Sequence, residues 1–314
     1  MVKPSECDTL SKILGSELSC RDTCSVAENP SRVYDSIRDG CLIAHIGLTL
    51  IEMQRLAFCF KSSLYRLFTI NTLSRSVEQD KDRFWAILLT ISLLHDIGKL
   101  TDQYIDKHTT KSHILHHQIS AIVAKRALNR VFDDYISLEV AYAILFHHEA
   151  IDWSSIERNL FSFSYFQKVL PSTKRFTYTI DQNRLNRFNQ NLSKLIDQFY
   201  QKNFITGLQH QTLTQIIPFI TSALITNQEI DCIYEELEGR KIQHPKYLTP
   251  ALALYRLLYL ADNRAASARS QYWLDSLQHV DWNRLESAAQ QIHHLLTQRY
   301  YYIGLSSIPD DYLI

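Results

Sequence analysis

The chain has 314 residues, of which 46% are hydrophobic and 21% are charged, with 7 glycines and 7 prolines. This composition is ordinary for a globular protein, and the scarcity of glycine and proline favours long helices over a turn-rich β architecture. The 33 basic residues balance the 33 acidic residues, so no overall positive charge attracts the chain to nucleic acid. A nucleic-acid substrate would therefore require a local basic patch or a partner that delivers the strand.

The cysteines and the apolar runs indicate the cellular compartment. Six cysteines are present, most of them in the first sixty residues and without a zinc-finger spacing. Cys20 and Cys24 alone are a weak metal-binding signal, and free thiols are the favoured interpretation. The N-terminus lacks a signal-peptide pattern, and no apolar run reaches the roughly 18 residues of a membrane span. We therefore expect a cytoplasmic protein that does not associate with membranes.

The first part of the chain changes from polar to apolar. Residues 1–30 are polar with little periodicity, which predicts a leader that packs late or stays loose. Residues 31–60 are the first convincing helical region, and apolar residues nearly surround His45 there. Taken alone, His45 is better explained as a core histidine than as a ligand. Residues 61–83 form a charged connection.

The central feature is an apolar run that ends in ionisable residues. Phe84 to Leu94 predicts a buried helix, which extends to Ile97 and includes the adjacent His95 and Asp96. Burying an unpaired imidazole beside an unpaired carboxylate is costly, and metal binding by both is the simplest explanation. Lys99 would reach the same cavity, where it could hold a phosphate oxygen. Its alternative role is that of a cation at a helix C-terminus.

Two further helices carry histidines. After a polar loop at 100–111, a helix is predicted over 113–128 with His116 and His117 at its start, and the small residues that follow would let another helix approach closely. A second apolar helix over 138–151 contains His147 and His148. Adjacent histidines inside an apolar run are explained well by a metal cavity.

The remaining chain predicts mostly helices. Residues 175–180 are the only β-type segment, 182–202 read as an exposed amphipathic helix, and 216–225 read as an apolar helix. The helix over 251–269 begins after Pro250 and carries Asp262 beside its apolar stripe. A last helix is predicted over 281–303.

The candidate ligands combine imidazoles with carboxylates. Such a set suits Mn, Fe, Co, Ni or Zn better than Mg or Ca. The candidates are His45, His95, Asp96, His116, His147, His148 and Asp262. They are too many for one tetrahedral ion, whereas two ions bridged by Asp96 would use them all. Two ions about 3.5–4 Å apart are the usual arrangement for hydrolysis of phosphate esters.

The order His, His-Asp, Asp resembles the HD superfamily of metal-dependent phosphohydrolases. The finer pattern is similar to the HD nuclease of type I CRISPR interference, over about residues 40–155 and 248–270. The segments that carry it are His95-Asp-Ile-Gly-Lys-Leu-Thr-Asp-Gln-Tyr104, His116-His-Gln-Ile-Ser-Ala121, His147-His148 and Ala261-Asp-Asn-Arg-Ala-Ala-Ser267. The resemblance implies an all-α helical bundle around a metal site. Residues 31–314 would form one HD domain, with an unmatched insertion at about 156–247 that holds at most a short β-hairpin.

The resemblance also implies the ligand sets. His45, His95, Asp96 and Asp262 would hold the first ion. Asp96, His116, His147 and His148 would hold the second, with His117 in reserve. The remaining histidines are expected to be bystanders: His108, His113, His210, His244, His279, His293 and His294. A basic rim that binds phosphates is expected from Lys99, Arg264, Arg269, Lys241 and Lys246.

The implied activity is hydrolysis of phosphodiester bonds in single-stranded DNA, or in RNA, with Asp96 and Lys99 as catalytic residues. The sequence contains no phosphate-binding loop of the kind that helicases use. The protein would therefore work with a separate CRISPR helicase and effector complex. Two alternatives are an HD nucleotide phosphohydrolase and an HD-type relaxase of a mobile element, whose first histidine helix resembles residues 40–45.

Overall fold

A computed structural model of the protein describes residues 6–18, 41–69, 77–106, 116–132, 134–147, 177–221, 224–226, 228–229, 231–236 and 248–266. Within these residues the chain is almost entirely helical, which confirms the predicted all-α fold. The helices are α1 (Glu6–Leu14), α2 (Leu42–Thr69), α3 (Val77–Leu94), α4 (Asp102–Asp106), α5 (His116–Leu128), α6 (Asp134–Phe146), α7 (Gln182–Gln201), α8 (Gly207–Ile216) and α9 (Leu248–Ala266). Short 3-10 turns cover Ile97–Leu100 and Ile217–Phe219. The strands are β1 (Thr177–Tyr178) and β2 (Ile225–Thr226).

The core lies among five helices. α2 packs against α3 and α9, and α6 packs against α5 and α9. Ile43, Leu88 and Leu254 are fully buried within this arrangement, and each such side chain stabilises the fold by about 1.5–3 kcal/mol. Polar residues placed inside these apolar helices are therefore held away from water. None of the described helices combines the length and the apolar character that a membrane crossing requires.

The N-terminal residues differ from the prediction of a loose leader. Residues 6–14 form α1, which packs on α2 with Leu10 and Leu14 buried. A Cβ atom at Gly47 would lie 2.6 Å from Leu10, so glycine permits this close packing. Residues 6–18 thus contribute to the core, while the division of the chain into a leader and one domain stays a prediction.

The segment from 177 to 226 contains two helices that are capped by side chains. α7 begins where the sequence predicts. Asp181 caps this start, because its side chain accepts the N–H of Arg184 at 2.8 Å. One face of α7 is buried rather than exposed, and it carries Phe188 and Leu192. Thr206 forms a capping box at the start of α8.

The apolar helix predicted over 216–225 does not form. α8 ends at Ile216, a single 3-10 turn follows, and residues 225–226 are a strand. Pro218 explains the break because proline lacks an N–H and its ring blocks a continuing helix. β1 forms in the predicted β-type segment and pairs antiparallel with β2, with Thr177 opposite Thr226. α7 and α8 lie between the two strands, so they are not joined as a tight hairpin.

The other helices appear near their predicted positions with shifted ends. α3 begins earlier than predicted and stops at Leu94, before the His-Asp pair. α5, α6 and α9 overlap the predicted spans, and the predicted polar loop after residue 100 contains α4. The helix predicted over 281–303 lies outside the described residues.

Candidate metal centre

The His-Asp pair lies at a break between two helices. α3 ends at Leu94, and the N–H of His95 still bonds the Ile91 carbonyl at 3.0 Å. Asp96 occupies the N-cap position of the following 3-10 turn, with φ −114° and ψ 8°, and its side chain makes no capping hydrogen bond there. The pair therefore leaves the helical register at the end of the apolar run, with both side chains fully or almost fully buried.

Small residues bring α5 against this break. A Cβ atom at Gly98 would lie 2.1 Å from the carbonyl oxygen of His116, a distance that no side chain tolerates. The N–H of Gly98 also donates to the hydroxyl of Ser120 at 2.8 Å. The close approach thus depends on Gly98, while Ser120, one of the small residues from which close packing is expected, contributes a hydrogen bond, and the contact places His116 beside Asp96.

Four of the predicted ligands form a first cluster. His45 comes from α2, His95 and Asp96 follow α3, and Asp262 comes from α9. One ligand atom of each lies within 4.8 Å of the others. His45 Nε2 is 2.9 Å from Asp262 Oδ1 and 3.4 Å from Asp96 Oδ2. His95 Nε2 is 3.4 Å from the same Asp96 oxygen.

A second cluster lies on the other side of Asp96. It contains Asp96, His116 and His147. His116 Nε2 is 3.2 Å from Asp96 Oδ1, and His147 Nε2 is 3.8 Å from the same oxygen. His117 is buried nearby but is not a member of either cluster, and His148 lies outside the described residues.

The carboxylate of Asp96 is divided between the two clusters. Oδ2 faces His45 and His95, whereas Oδ1 faces His116 and His147. One carboxylate thus presents one oxygen to each group of imidazoles. A carboxylate placed in this way could bridge two ions.

Backbone carbonyls fix the orientation of two histidine rings. His95 Nδ1 donates to the Ser92 carbonyl at 2.8 Å, and His147 Nδ1 donates to the Ile144 carbonyl at 2.5 Å. A carbonyl only accepts, so Nδ1 carries a proton in both rings. The neutral ring then has its lone pair on Nε2, which is the atom that faces Asp96.

Glu6 is a residue of the centre that sequence reasoning missed. Its Oε1 atom lies 3.4 Å from His45 Nδ1, and its Oε2 atom accepts the N–H of Cys41 at 3.3 Å. Glu6 is only 1% exposed. It falls in the polar segment that was expected to be a leader, and its spacing from His45 follows no motif, so no signal in the sequence marks it.

The charges of the centre are coupled. Burial alone lowers the pKa of His95, but the carboxylates of Asp96 and Asp262 outweigh burial and raise this pKa to about 10. Burial lowers the pKa of His116 to about 3, although Asp96 opposes this shift. Burial raises the pKa of Asp96, but Lys99 and His95 outweigh it and hold that pKa well below its usual value. Asp96 is therefore an anion throughout the neutral range.

The predicted basic rim is wrong for Lys99. Its side chain is 4% exposed, and its ammonium lies 2.5 Å from Asp96 Oδ2, so it faces into the centre and away from solvent. Arg264 is partly exposed but pairs with Glu52, at 2.7 Å between Nε and Oε2. The remaining predicted rim residues lie outside the described residues: Lys241, Lys246 and Arg269.

The donor set fits a divalent ion. His95 Nε2 is buried without a hydrogen bond within the described residues. Its nearest carboxylate oxygen is 3.4 Å away, longer than a normal hydrogen bond from nitrogen to oxygen. In the same cluster His45 Nε2 hydrogen-bonds Asp262 Oδ1 at 2.9 Å. Imidazole nitrogens and carboxylate oxygens that converge in this way are typical of the ligands of a borderline transition metal.

The sequence comparisons agree with this geometry. Residues 67–185 match the HD domain family. Over that range the chain is similar to HD domains, which bind divalent metal ions. The match includes Asp96 with its neighbouring histidines, while His45 and Asp262 lie outside the matched range and join the cluster through the fold. A search of curated proteins found no match to the chain.

Proposed function

We propose that this HD protein is a nuclease that hydrolyses phosphodiester bonds, prefers single-stranded DNA, and acts in CRISPR-type antiviral defence with a separate helicase and effector complex. The observation that carries the proposal is the position of Asp96 between the two clusters, with one oxygen toward each. The first cluster alone contains the basic set of an HD nucleotidase. A second group of histidines around the same carboxylate favours a two-ion phosphodiesterase.

The ligands of the centre form two sets, one for each proposed ion. His45, His95 and Asp262 would hold one ion, and His116, His147 and His148 would hold the other, with Asp96 shared. Two bound ions would activate a water molecule and stabilise negative charge on phosphate oxygens. The bonds from Nδ1 to backbone carbonyls keep the Nε2 atoms of His95 and His147 directed at the ions. Lys99 would hold the Asp96 carboxylate in its bridging position.

The exposure of the ligands supports a strand that enters from one side. The side chains of His45 and His95 are fully buried. Those of Asp262 and His116 are 25% and 11% exposed. Substrate would thus approach past Asp262 and His116. A flexible single strand reaches a recessed centre of this kind more easily than a rigid duplex does.

A nucleotide phosphohydrolase is the second candidate, and one observation favours it. Lys99 and Arg264 are the two predicted rim residues that the structure describes, and acidic side chains engage both. A mononucleotide needs fewer free cations than a strand, whose binding depends on contacts with several phosphates. This candidate shares the metal centre and differs only in substrate.

The decisive experiment compares substrates on the purified full chain. Single-stranded DNA, duplex DNA, RNA and deoxynucleoside triphosphates would each be incubated with Mn²⁺, Co²⁺ or Ni²⁺, and with EDTA as the metal-free control. We expect metal-dependent degradation that is fastest on single-stranded DNA. Release of phosphate from nucleotides with intact DNA would favour the second candidate. A single site-specific nick in a supercoiled plasmid would instead favour the relaxase-like alternative.

A further inference from the structure

One carboxylate on α1, that of Glu6, contacts a predicted metal ligand on α2, His45. Oε1 of Glu6 lies 3.4 Å from His45 Nδ1, on the side of the ring opposite to the Nε2 atom that faces Asp262 at 2.9 Å. Both the glutamate and the histidine side chains are fully buried. The ring of His45 is therefore held between two carboxylates, one in the centre and one behind it.

His45 needs this second partner because of its place in its helix. His95 and His147 follow the C-terminal ends of α3 and α6, where the last carbonyls of a helix lack the usual helical N–H partner four residues further on. Those carbonyls accept the Nδ1 protons of the two rings. His45 lies in the first turn of α2, where the carbonyls accept helical N–H groups. The carbonyl of Cys41, for example, accepts the N–H of His45 itself. Another element must supply the acceptor.

Glu6 is held in place beside the Nδ1 atom of His45. Its second oxygen accepts the N–H of Cys41, one of the donors that the start of α2 leaves without a helical partner. α1 itself is fixed by Leu10, which is fully buried and packs closely on Gly47. The glutamate thus caps α2 with one oxygen and faces the His45 ring with the other.

We infer that Glu6 is the positioning residue of His45: its carboxylate, 3.4 Å from Nδ1, favours the ring form with the proton on Nδ1 and so keeps the Nε2 lone pair directed at the first ion. The inference rests on the metal centre of the proposed function and is independent of the substrate. Carboxylate–histidine–metal arrangements raise the basicity of the ligand and fix its ring. Glu6→Gln removes the charge with little change of shape, and it is expected to weaken binding of the first ion by about 10–100-fold.

The test measures metal affinity and needs no substrate. The full chain would carry His116→Ala, which leaves all four residues of the first cluster in place. Co²⁺ affinity would be obtained by competition with a chromophoric chelator, with and without Glu6→Gln. Glu236→Gln is the matched control, since it makes the same substitution at a partly exposed glutamate that pairs with Lys125 and belongs to neither cluster. We expect Glu236→Gln to leave the Co²⁺ affinity unchanged.

Three results would overturn the inference. Glu6→Gln that binds Co²⁺ as tightly as its parent would show that the carboxylate does not act on His45. An equal loss of affinity in Glu236→Gln would show that the effect is not specific to the carboxylate behind His45. A parent that binds no Co²⁺ would remove the metal centre and the proposed function together. If Glu6→Gln does not fold, Glu6→Asp replaces it; this variant keeps the charge but withdraws the carboxylate, and unchanged affinity would again contradict the inference.

The proposed nuclease activity is tested separately from the role of Glu6. Protein that binds Co²⁺ in the expected Glu6-dependent way but leaves DNA and RNA intact would disprove the proposed substrate and uphold the role of Glu6.

Discussion

The ammonium of Lys99 lies 2.5 Å from Oδ2 of Asp96, the carboxylate oxygen that also faces His45 and His95. The two side chains are 4% and 1% exposed. Burial alone lowers the pKa of Lys99, but Asp96 outweighs burial and raises it. Lys99 is therefore a buried cation, and it balances Asp96 when no ion is bound.

The variant Lys99→Met tests this balance. Without metal it leaves a buried carboxylate that has lost its nearest cation, and breaking a buried pair costs about 3–5 kcal/mol of unfolding free energy. A bound divalent ion replaces the missing charge, so the loss should be much smaller in saturating Mn²⁺. Urea unfolding with EDTA and with Mn²⁺ measures both values. Equal losses under the two conditions would contradict this role.

A surface pair provides the control for Lys99→Met. Lys125 pairs with Glu236, and these side chains are 24% and 32% exposed. Partly exposed pairs contribute only about 0–1 kcal/mol. Lys125→Met should therefore change the unfolding free energy little, and by the same amount with and without metal.

Gly98→Ala tests the close approach of α5. The added Cβ would meet the His116 carbonyl at 2.1 Å, and backbone cannot move aside as a flexible side chain does. We expect a loss of about 1–3 kcal/mol of unfolding free energy, together with weaker binding of the second ion because His116 shifts. Gly207→Ala is the control, since its nearest neighbour would be 3.8 Å away. Comparable losses in the two variants would show that the contact is unimportant.

Asp96→Asn tests the bridge. It removes the shared ligand while leaving an amide oxygen for Lys99, whereas Asp96→Ala would leave that ammonium without a partner. We expect cleavage of single-stranded DNA to fall by at least about 10³-fold and metal content to drop from two ions per chain. His147→Ala should retain one ion and residual cleavage, because the first cluster is intact.

Asp197→Asn is the control for the bridge. Asp197 pairs with His210 at the surface and belongs to neither cluster, so cleavage should match that of the parent. Parent-like cleavage by Asp96→Asn would refute the assignment of the centre. Thermal melting of the same samples would show whether a loss of cleavage arises from unfolding.

The sequence predicts much of the centre because polar residues inside apolar helices are conspicuous. His45, Asp96 and His147 each interrupt or end a run whose neighbours are fully buried, and burial of such groups needs a compensating partner. The buried face of α7 is likewise visible in the spacing of its apolar residues. These features depend only on local periodicity.

The features that the sequence could not predict depend on the orientation of side chains and on contacts between residues far apart in the chain. The reach of Lys99 follows from its spacing, but whether its ammonium points to solvent or to Asp96 is decided by packing. Glu6 meets His45 only after α1 docks on α2, and β1 pairs with a strand beyond α7 and α8. Pro218 indicates the end of the helix predicted over 216–225, but the apolar residues on either side of it favour a continuous helix.

The last prediction concerns pH. In the protein without metal, His95 has a pKa of about 10 and is protonated at neutral pH, whereas His116 has a pKa of about 3 and is neutral. An ion in the first cluster must displace the His95 proton, and an ion in the second cluster displaces none from His116. Raising the pH removes that proton more easily, so affinity for the first ion should increase with pH.

Two variants separate the clusters for this measurement. His116→Ala leaves the first cluster complete, and His45→Ala leaves the second. Calorimetric titration with Co²⁺ in buffers of different ionisation enthalpy counts the protons released. Between about pH 6 and pH 8 we expect the affinity of His116→Ala to rise by at least about tenfold per pH unit, because binding displaces the His95 proton and because His45, whose pKa Asp262 and Glu6 also raise, adds to the release. The affinity of His45→Ala is expected to rise less steeply. A steeper slope for the second cluster would show that its histidines, rather than His95, hold the protons that metal displaces.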